Sequence, residues 1–116
     1  MILAGSSPKL TMEKEKFDVK ISGEARRMLI DHVFFLANVN PAAAEKLRTD
    51  MIAEIQSLEN FPERFPYLEP DNRKNPYRKM FVPKWYLVLY MIEGNHVFVD
   101  YVLDCRQDYQ WLLISD

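Results

Sequence analysis

The sequence predicts an α+β fold: a two-layer sandwich in which an antiparallel helix hairpin packs on a four-stranded, mainly antiparallel sheet, in the order β-α-α-β-β-β. Three observations predict it. Apolar residues recur at three- and four-residue steps between Ser22 and Leu58, the period of an amphipathic helix. Stretches rich in β-branched and aromatic side chains lie before and after that region, as strands require. Prolines and a Gly-Asn pair separate these stretches and break them into elements of ordinary length.

Taken in order, residues 1 to 16 mix Gly, Ser, Pro, Lys and Glu without periodicity and read as a loose leader ahead of a single domain at 17 to 116. Phe17, Val19 and Ile21 alternate with Asp18, Lys20 and Ser22, which gives a short strand with one buried face. The Ser22 hydroxyl is placed to accept from a first-turn amide, and Glu24 sits where the helix dipole favours negative charge. A helix therefore starts there, carrying Ala25, Met28, Leu29, Val33 and Leu36 on one side, and ends at the turn residues Asn38 to Asn40. Asn40 caps a second helix, because proline at its first position, Pro41, forfeits no needed hydrogen bond. Ala44, Leu47, Met51, Ile55 and Leu58 line one side of it.

Four prolines between Phe61 and Pro76 forbid a continued helix and predict a long surface connection. Strands follow at Tyr77 to Val82, Tyr86 to Ile92 and Val97 to Leu103. Pro83 separates the first two, and Gly94-Asn95 suits a two-residue hairpin turn between the last two. Arg106 to Ile114 places Tyr109, Leu112 and Leu113 at helical spacing and predicts a short tail helix. Two amphipathic helices bury their stripes against one face of such a sheet.

Composition narrows the function classes. A chain of 116 residues that is 48% hydrophobic is long enough for one core and apolar enough to offset the entropy of ordering its backbone. Its longest apolar runs, Val33 to Ala37 and Trp85 to Ile92, fall far below the roughly 20 residues of a membrane-spanning helix. Residues 1 to 10 lack the basic start and greasy stretch of a signal peptide. One cysteine, Cys105, allows no internal disulfide, and with His32 and His96 it has no metal-ligand spacing. These features fit a cytoplasmic protein without a cofactor or metal. The formal net charge of −2 gives the whole molecule no electrostatic reason to seek nucleic acid. From Asn72 to Ile92, however, there is no acid, and Arg73, Lys74, Arg78, Lys79 and Lys84 form a local basic stretch.

Each candidate also has a plainer reading. Arg78 and Lys79 are adjacent in a strand and so face opposite ways. Trp85, Tyr86, Tyr90, Phe98 and Tyr101 could stack on bases, but sheet core is the default for such residues. His32 and His96 have no sequence partner that would make either a general base. Cys105 beside Asp104 reads as a small, partly buried side chain, and Trp111, Leu112 and Leu113 as a cap on the core or a patch that a partner covers.

The element order combines with several local features: Pro41-Ala42-Ala43-Ala44 opening the second helix, Leu58-x-x-Phe61-Pro62 at its exit, Tyr77-Arg78-Lys79, Tyr86-x-x-x-Tyr90, and the closing Arg106-x-Asp108. Together these resemble RelE/ParE toxins of type II toxin–antitoxin, or plasmid stabilisation, systems over roughly residues 17 to 113. The resemblance implies a toxin neutralised by a cognate antitoxin, in a homodimer or a toxin–antitoxin hetero-oligomer. Two lethal activities are associated with it. RelE-like members are mRNA interferases that cut messenger RNA on the ribosome without metal, which needs clustered cations and proton-moving groups. ParE-like members act as gyrase inhibitors by binding DNA gyrase. Carried onto this sequence, the RelE-type basic positions fall on Arg78 and Arg106, which keep their charge, and on Met80 and Leu87, which do not. Tyr86 and Tyr109 are candidates for the catalytic phenol, and Arg73, Lys74, Lys79 and Lys84 for RNA or target binding. The two lost cations favour the gyrase reading, with RNA cleavage and a non-toxic interaction module as alternatives. In every case Arg78 and Arg106 are expected in one cationic hollow.

Overall fold

A computed structural model describes residues 16–69 and 75–106. Strand β1 (Asp18–Ile21), helices α1 (Gly23–Ala37) and α2 (Pro41–Gln56), and strands β2 (Arg78–Val82), β3 (Tyr86–Glu93) and β4 (His96–Asp104) follow in the expected order. The sheet runs β1-β4-β3-β2. β2, β3 and β4 form an antiparallel meander, while β1 lies parallel to β4. The parallel pair is the geometric result of the helix hairpin carrying the chain from β1 back across the sheet, since a parallel neighbour needs a long crossover.

Local chemistry sets the element ends. The Ser22 hydroxyl accepts from the Ala25 amide at 2.9 Å, and Asn40 Oδ1 accepts from the Ala43 amide at 3.0 Å. These are the two predicted caps, each satisfying a first-turn donor that the helix itself leaves unpaired. Gly94 turns β3 into β4 with φ of 61°, in the left-handed region that a side chain makes costly. The connection after α2 holds two 3-10 turns, Ser57–Glu59 and Pro62–Arg64. It then pairs along the outer edge of β2, with Leu68 N–H donating to Tyr77 O at 2.8 Å and Lys79 N–H to Pro66 O at 2.9 Å. That segment covers part of an otherwise bare sheet edge.

The helix-facing layer is built from Ala25, Leu47, Met51, Ile55 and Leu58 against Met80, Val88, Tyr90, Val97, Val99 and Val102, all buried. Burying a large apolar side chain is worth about 1.5–3 kcal/mol, so this layer carries the fold. The reverse face is not bare. Leu87, Leu89 and Leu103 are buried there under Leu68, Tyr77 and Tyr101, which explains why Tyr86 to Ile92 reads as a continuous apolar run: a strand covered on both faces has no polar side to alternate with.

One irregularity lies outside any sequence pattern. The β3–β4 register shifts between Leu89 and Tyr90, leaving Asp100 as an extra residue between Val99 and Tyr101. This bulge resets the alternation, so that Val99 and Val102 both enter the helix-facing core. Asp100 is then held by Tyr77 Oη, which donates to its Oδ2 at 2.7 Å, and by the Ser22 hydroxyl, which donates to its carbonyl at 3.2 Å. Burial, with Asp100 adding to it, pushes the Tyr77 phenol well above its ordinary pKa. The expected tail helix falls almost wholly on residues 107–116, outside the described residues.

Candidate functional site

The two arginines expected in one hollow lie on the same face of the sheet but at opposite ends of it. Arg78 pairs with Tyr90, and Val82 with Tyr86. Four residues of β3, about 13 Å at ~3.3 Å per residue, therefore separate the Arg78 end from the Tyr86 end, where Arg106 sits. The shared cationic hollow is thus corrected to two sites. The physical reason is register: a hairpin with a short turn fixes which residues stand opposite one another, and here it places the start of β2 against the middle of β3.

At the Arg78 end the guanidinium is held against a loop. Its Nη1 donates to Phe65 O at 2.7 Å and Glu63 O at 3.1 Å, and its carbon lies 4.0 Å from the centroid of the Tyr67 ring. Beside it, the buried Tyr90 hydroxyl donates to Pro62 O at 2.6 Å. Burial pushes that phenol up to about 12, against the opposing pull of Arg78 and Arg64. Together Arg78 and Tyr90 tie the Pro62–Phe65 loop to the sheet.

At the other end Arg106 leaves β4 directly after Asp104 and Cys105. Its Nε and Nη2 donate to the two carboxylate oxygens of Asp104 at 3.1 and 3.0 Å, and its amide donates to Oδ1 at 2.9 Å. Asp104 is only 2% exposed, whereas the Arg106 side chain is 46% exposed. A buried carboxylate thus holds a planar cation in a bidentate fork while its far side stays open. The same guanidinium lies 3.4 Å from Tyr86 Oη and 5.3 Å from the centroid of the Trp85 ring. The hydrogen bond to Asp104 raises the Arg106 pKa further. Burial first, then Asp104, raises that of Tyr86, with Arg106 opposing. At neutral pH the site therefore presents a permanent cation and a protonated phenol.

These residues line a cleft of about 400 Å³ between the β2–β3 turn and the helix hairpin. Lys84 reaches the Trp85 ring at 5.7 Å, and Lys46, on the α2 wall, pairs with Asp50 at 2.9 Å. His32, on α1, supports the cleft from beneath: its Nε2 lies 2.8 Å from Val102 O and its ring 5.6 Å from that of Tyr86. The arrangement suits recognition of an anionic or aromatic group, with the partly exposed Trp85 ring, Lys46, Lys84 and one oriented guanidinium.

Of the expected site residues, the structure brings together Arg106, Tyr86 and Lys84. It sets Arg78 apart, and it turns Lys79 to the reverse face in register with Leu89. Arg73, Lys74 and Tyr109 lie outside the described residues, as do Trp111, Leu112 and Leu113. Trp85, read from the sequence as sheet core by default with base stacking as the alternative, lines the cleft, and sequence reasoning missed Asp104 and His32 as the residues that support it. The available signal was an acid two residues before Arg106 at a strand end; nothing local could tell that this acid is buried.

No curated protein matches the chain. Among solved structures, the chain resembles one described as "Chromosomal ParDE TA system from P. aeruginosa", with a TM-score of 0.63 and 14% sequence identity, covering 78% of this chain and 97% of that chain. At this identity the likeness bears on the fold, and it agrees with two helices on a mostly antiparallel four-stranded sheet. The family model described as "ParE toxin of type II toxin-antitoxin system, parDE" matches residues 19–109. Among the described residues that span takes in all of the strands and helices except the first residue of β1, and the Arg106 cleft as well, and so the chain belongs to the ParE toxin family of type II toxin–antitoxin systems.

Proposed function

We propose that this toxin acts by binding and inhibiting DNA gyrase, with the Arg106–Trp85 cleft as part of its recognition surface, and that it does not cleave messenger RNA. One observation carries the reading. The two positions onto which RelE-type cations fall, Met80 and Leu87, are 0% and 1% exposed and belong to the two apolar layers on opposite faces of the sheet. An apolar core side chain stabilises no developing phosphorane charge, and a cation there would be buried without a partner. Arg78, the third position, is drawn to the Glu63 and Phe65 carbonyls through Nη1 and stands at the far end of the sheet from Arg106. Of the four positions only Arg106, already paired with Asp104, stands in the cleft, beside a phenol whose raised pKa disfavours proton abstraction at neutral pH.

A recognition surface asks for less. It needs an oriented charge and an aromatic anchor, which Arg106 and Trp85 supply in the cleft.

The test is induction of the chain without its antitoxin, followed by assays of gyrase supercoiling, DNA breakage and message integrity. Loss of supercoiling or accumulation of DNA breaks, with intact messages, is the expected result. Rapid cleavage of translated messages with normal supercoiling would replace this reading with the nuclease, and normal growth would replace it with a non-toxic interaction module.

A further inference from the structure

The cleft at the Arg106 end holds more hydrogen-bond donors than its own acceptors use. Asp104 occupies Nε and Nη2 of Arg106, and Nη1 donates to no group among the described residues. Tyr86 Oη accepts from Arg106 Nη2 at 3.4 Å. Its own proton meets no acceptor among the described residues, although Tyr86 is only 5% exposed. Buried polar groups are paired as a rule, so this hydroxyl is fitted to donate to a bound group. Lys84 has no carboxylate partner among the described residues, and its ammonium group stands over the Trp85 ring. Lys46, on the α2 wall, is shared with Asp50.

The unused donors select the ligand. A carboxylate is best held in the bidentate fork of an arginine, and Asp104 already fills that fork. Single donors remain on the β2–β3 turn, on β3 and after β4. Such a set suits an oxyanion with three terminal oxygens, which lysine meets as a point charge. Beside it stands an apolar wall of Leu36, Ala43 and Pro83 with the half-exposed Trp85, a surface on which a flat base can stack. The cleft volume of about 400 Å³ lies in the range of small-molecule sites, roughly 300–1,000 Å³. The formal net charge of −2 opposes a length of nucleic-acid backbone, so a single nucleotide unit is the ligand that uses both the donors and the wall.

We propose that the cleft binds a nucleotide with a terminal phosphate, the phosphate held by Arg106, Tyr86 and Lys84 and the base against Trp85. The inference rests on the reading of this cleft as the recognition surface, and it makes the element recognised there a nucleotide phosphate. A free nucleotide and the phosphorylated end of a strand share this chemistry.

The test titrates the purified chain with adenosine monophosphate. Calorimetry reads the parent chain, and fluorescence reads a Trp111→Phe background in which Trp85 is the one tryptophan. Saturable binding with quenching of Trp85 is expected. Adenosine and inorganic phosphate, each lacking half of the ligand, should bind at least tenfold more weakly. Lys84→Gln and Tyr86→Phe should each weaken the nucleotide about tenfold, the worth of one hydrogen bond to a charged group, and leave adenosine unchanged. Lys79→Gln, on the reverse face, is the control and should bind like the parent. No binding at millimolar nucleotide would overturn the inference, as would adenosine binding as tightly as the nucleotide, or Lys84→Gln and Tyr86→Phe both binding like the parent. A short single strand with a terminal phosphate that binds more tightly than the nucleotide makes the strand end the source, and equal or weaker binding makes it the free nucleotide. Nucleotide binding by a chain that leaves gyrase untouched would refute the target proposal and leave the site standing. Gyrase inhibition without nucleotide binding would do the converse.

Discussion

Arg78 and Arg106 are the same residue type on the same face of one sheet, yet they are put to different uses. Arg78 is turned inward to backbone carbonyls and an aromatic ring, and it holds a loop. Arg106 is gripped from below by a carboxylate and kept open above. What separates them is the acceptor. Carbonyls of a proline-rich loop and an aromatic ring draw the cation onto the protein, whereas a buried aspartate orients the cation and leaves one side free for a partner. A positively charged position inherited from a family pattern thus carries no fixed role; the groups that reach it decide.

The strongest way to break this comparison is to place a cation between the two ends. Met80 lies on the helix-facing side between Arg78 and Val82 and is fully buried. Met80→Arg should lose more than about 3 kcal/mol, through the loss of packing and the burial of an unpaired charge, and accumulate as insoluble chain on expression. A folded, soluble Met80→Arg variant with near-parent melting would show that the sheet has room for the joint site.

Arg106→Ala should separate function from stability. Killing, and gyrase inhibition if the proposed target holds, should fall at least tenfold, while stability falls by about 2 kcal/mol, because the buried Asp104 carboxylate loses two charge-assisted hydrogen bonds from the half-exposed guanidinium but keeps the Arg106 amide. Inhibition curves on purified, folded variant protein check the first part and thermal melting the second. Arg78→Ala should do the reverse. Two hydrogen bonds from a charged donor are lost and the Pro62–Phe65 loop is released, costing about 2 kcal/mol, or a melting point lower by about 4–8 °C for each kcal/mol in a domain of this size. Inhibition per folded molecule should stay close to the parent value.

The smallest effect sharpens the account of the Arg78 end. Tyr90→Phe removes the donor to Pro62 O and should cost about 1–2 kcal/mol near neutral pH. The phenol ionises near 10 in an unfolded chain and at about 12 in the fold. Because the folded state holds its proton longer, the stability tied to it is complete below pH 10 and is lost as pH rises from 10 to 12. Denaturant midpoints across that range should fall more steeply for the parent chain than for Tyr90→Phe. Equal slopes would mean that Tyr90 is not the group responsible.

The sequence determined by itself the order of elements, both helix caps, the Gly94 turn and the helix-facing apolar stripes, because each rests on chemistry between residues close in the chain. Met80 and Leu87 are apolar in it, at positions where the resemblance to RelE-type nucleases implies charge. Only the tertiary structure decided that Arg78 and Arg106 stand apart, that Asp104 is the buried partner of Arg106, and that Asp100 is a bulge. Register, burial and the identity of a long-range partner depend on how strands and helices from distant parts of the chain are stacked, and no local period encodes that stacking.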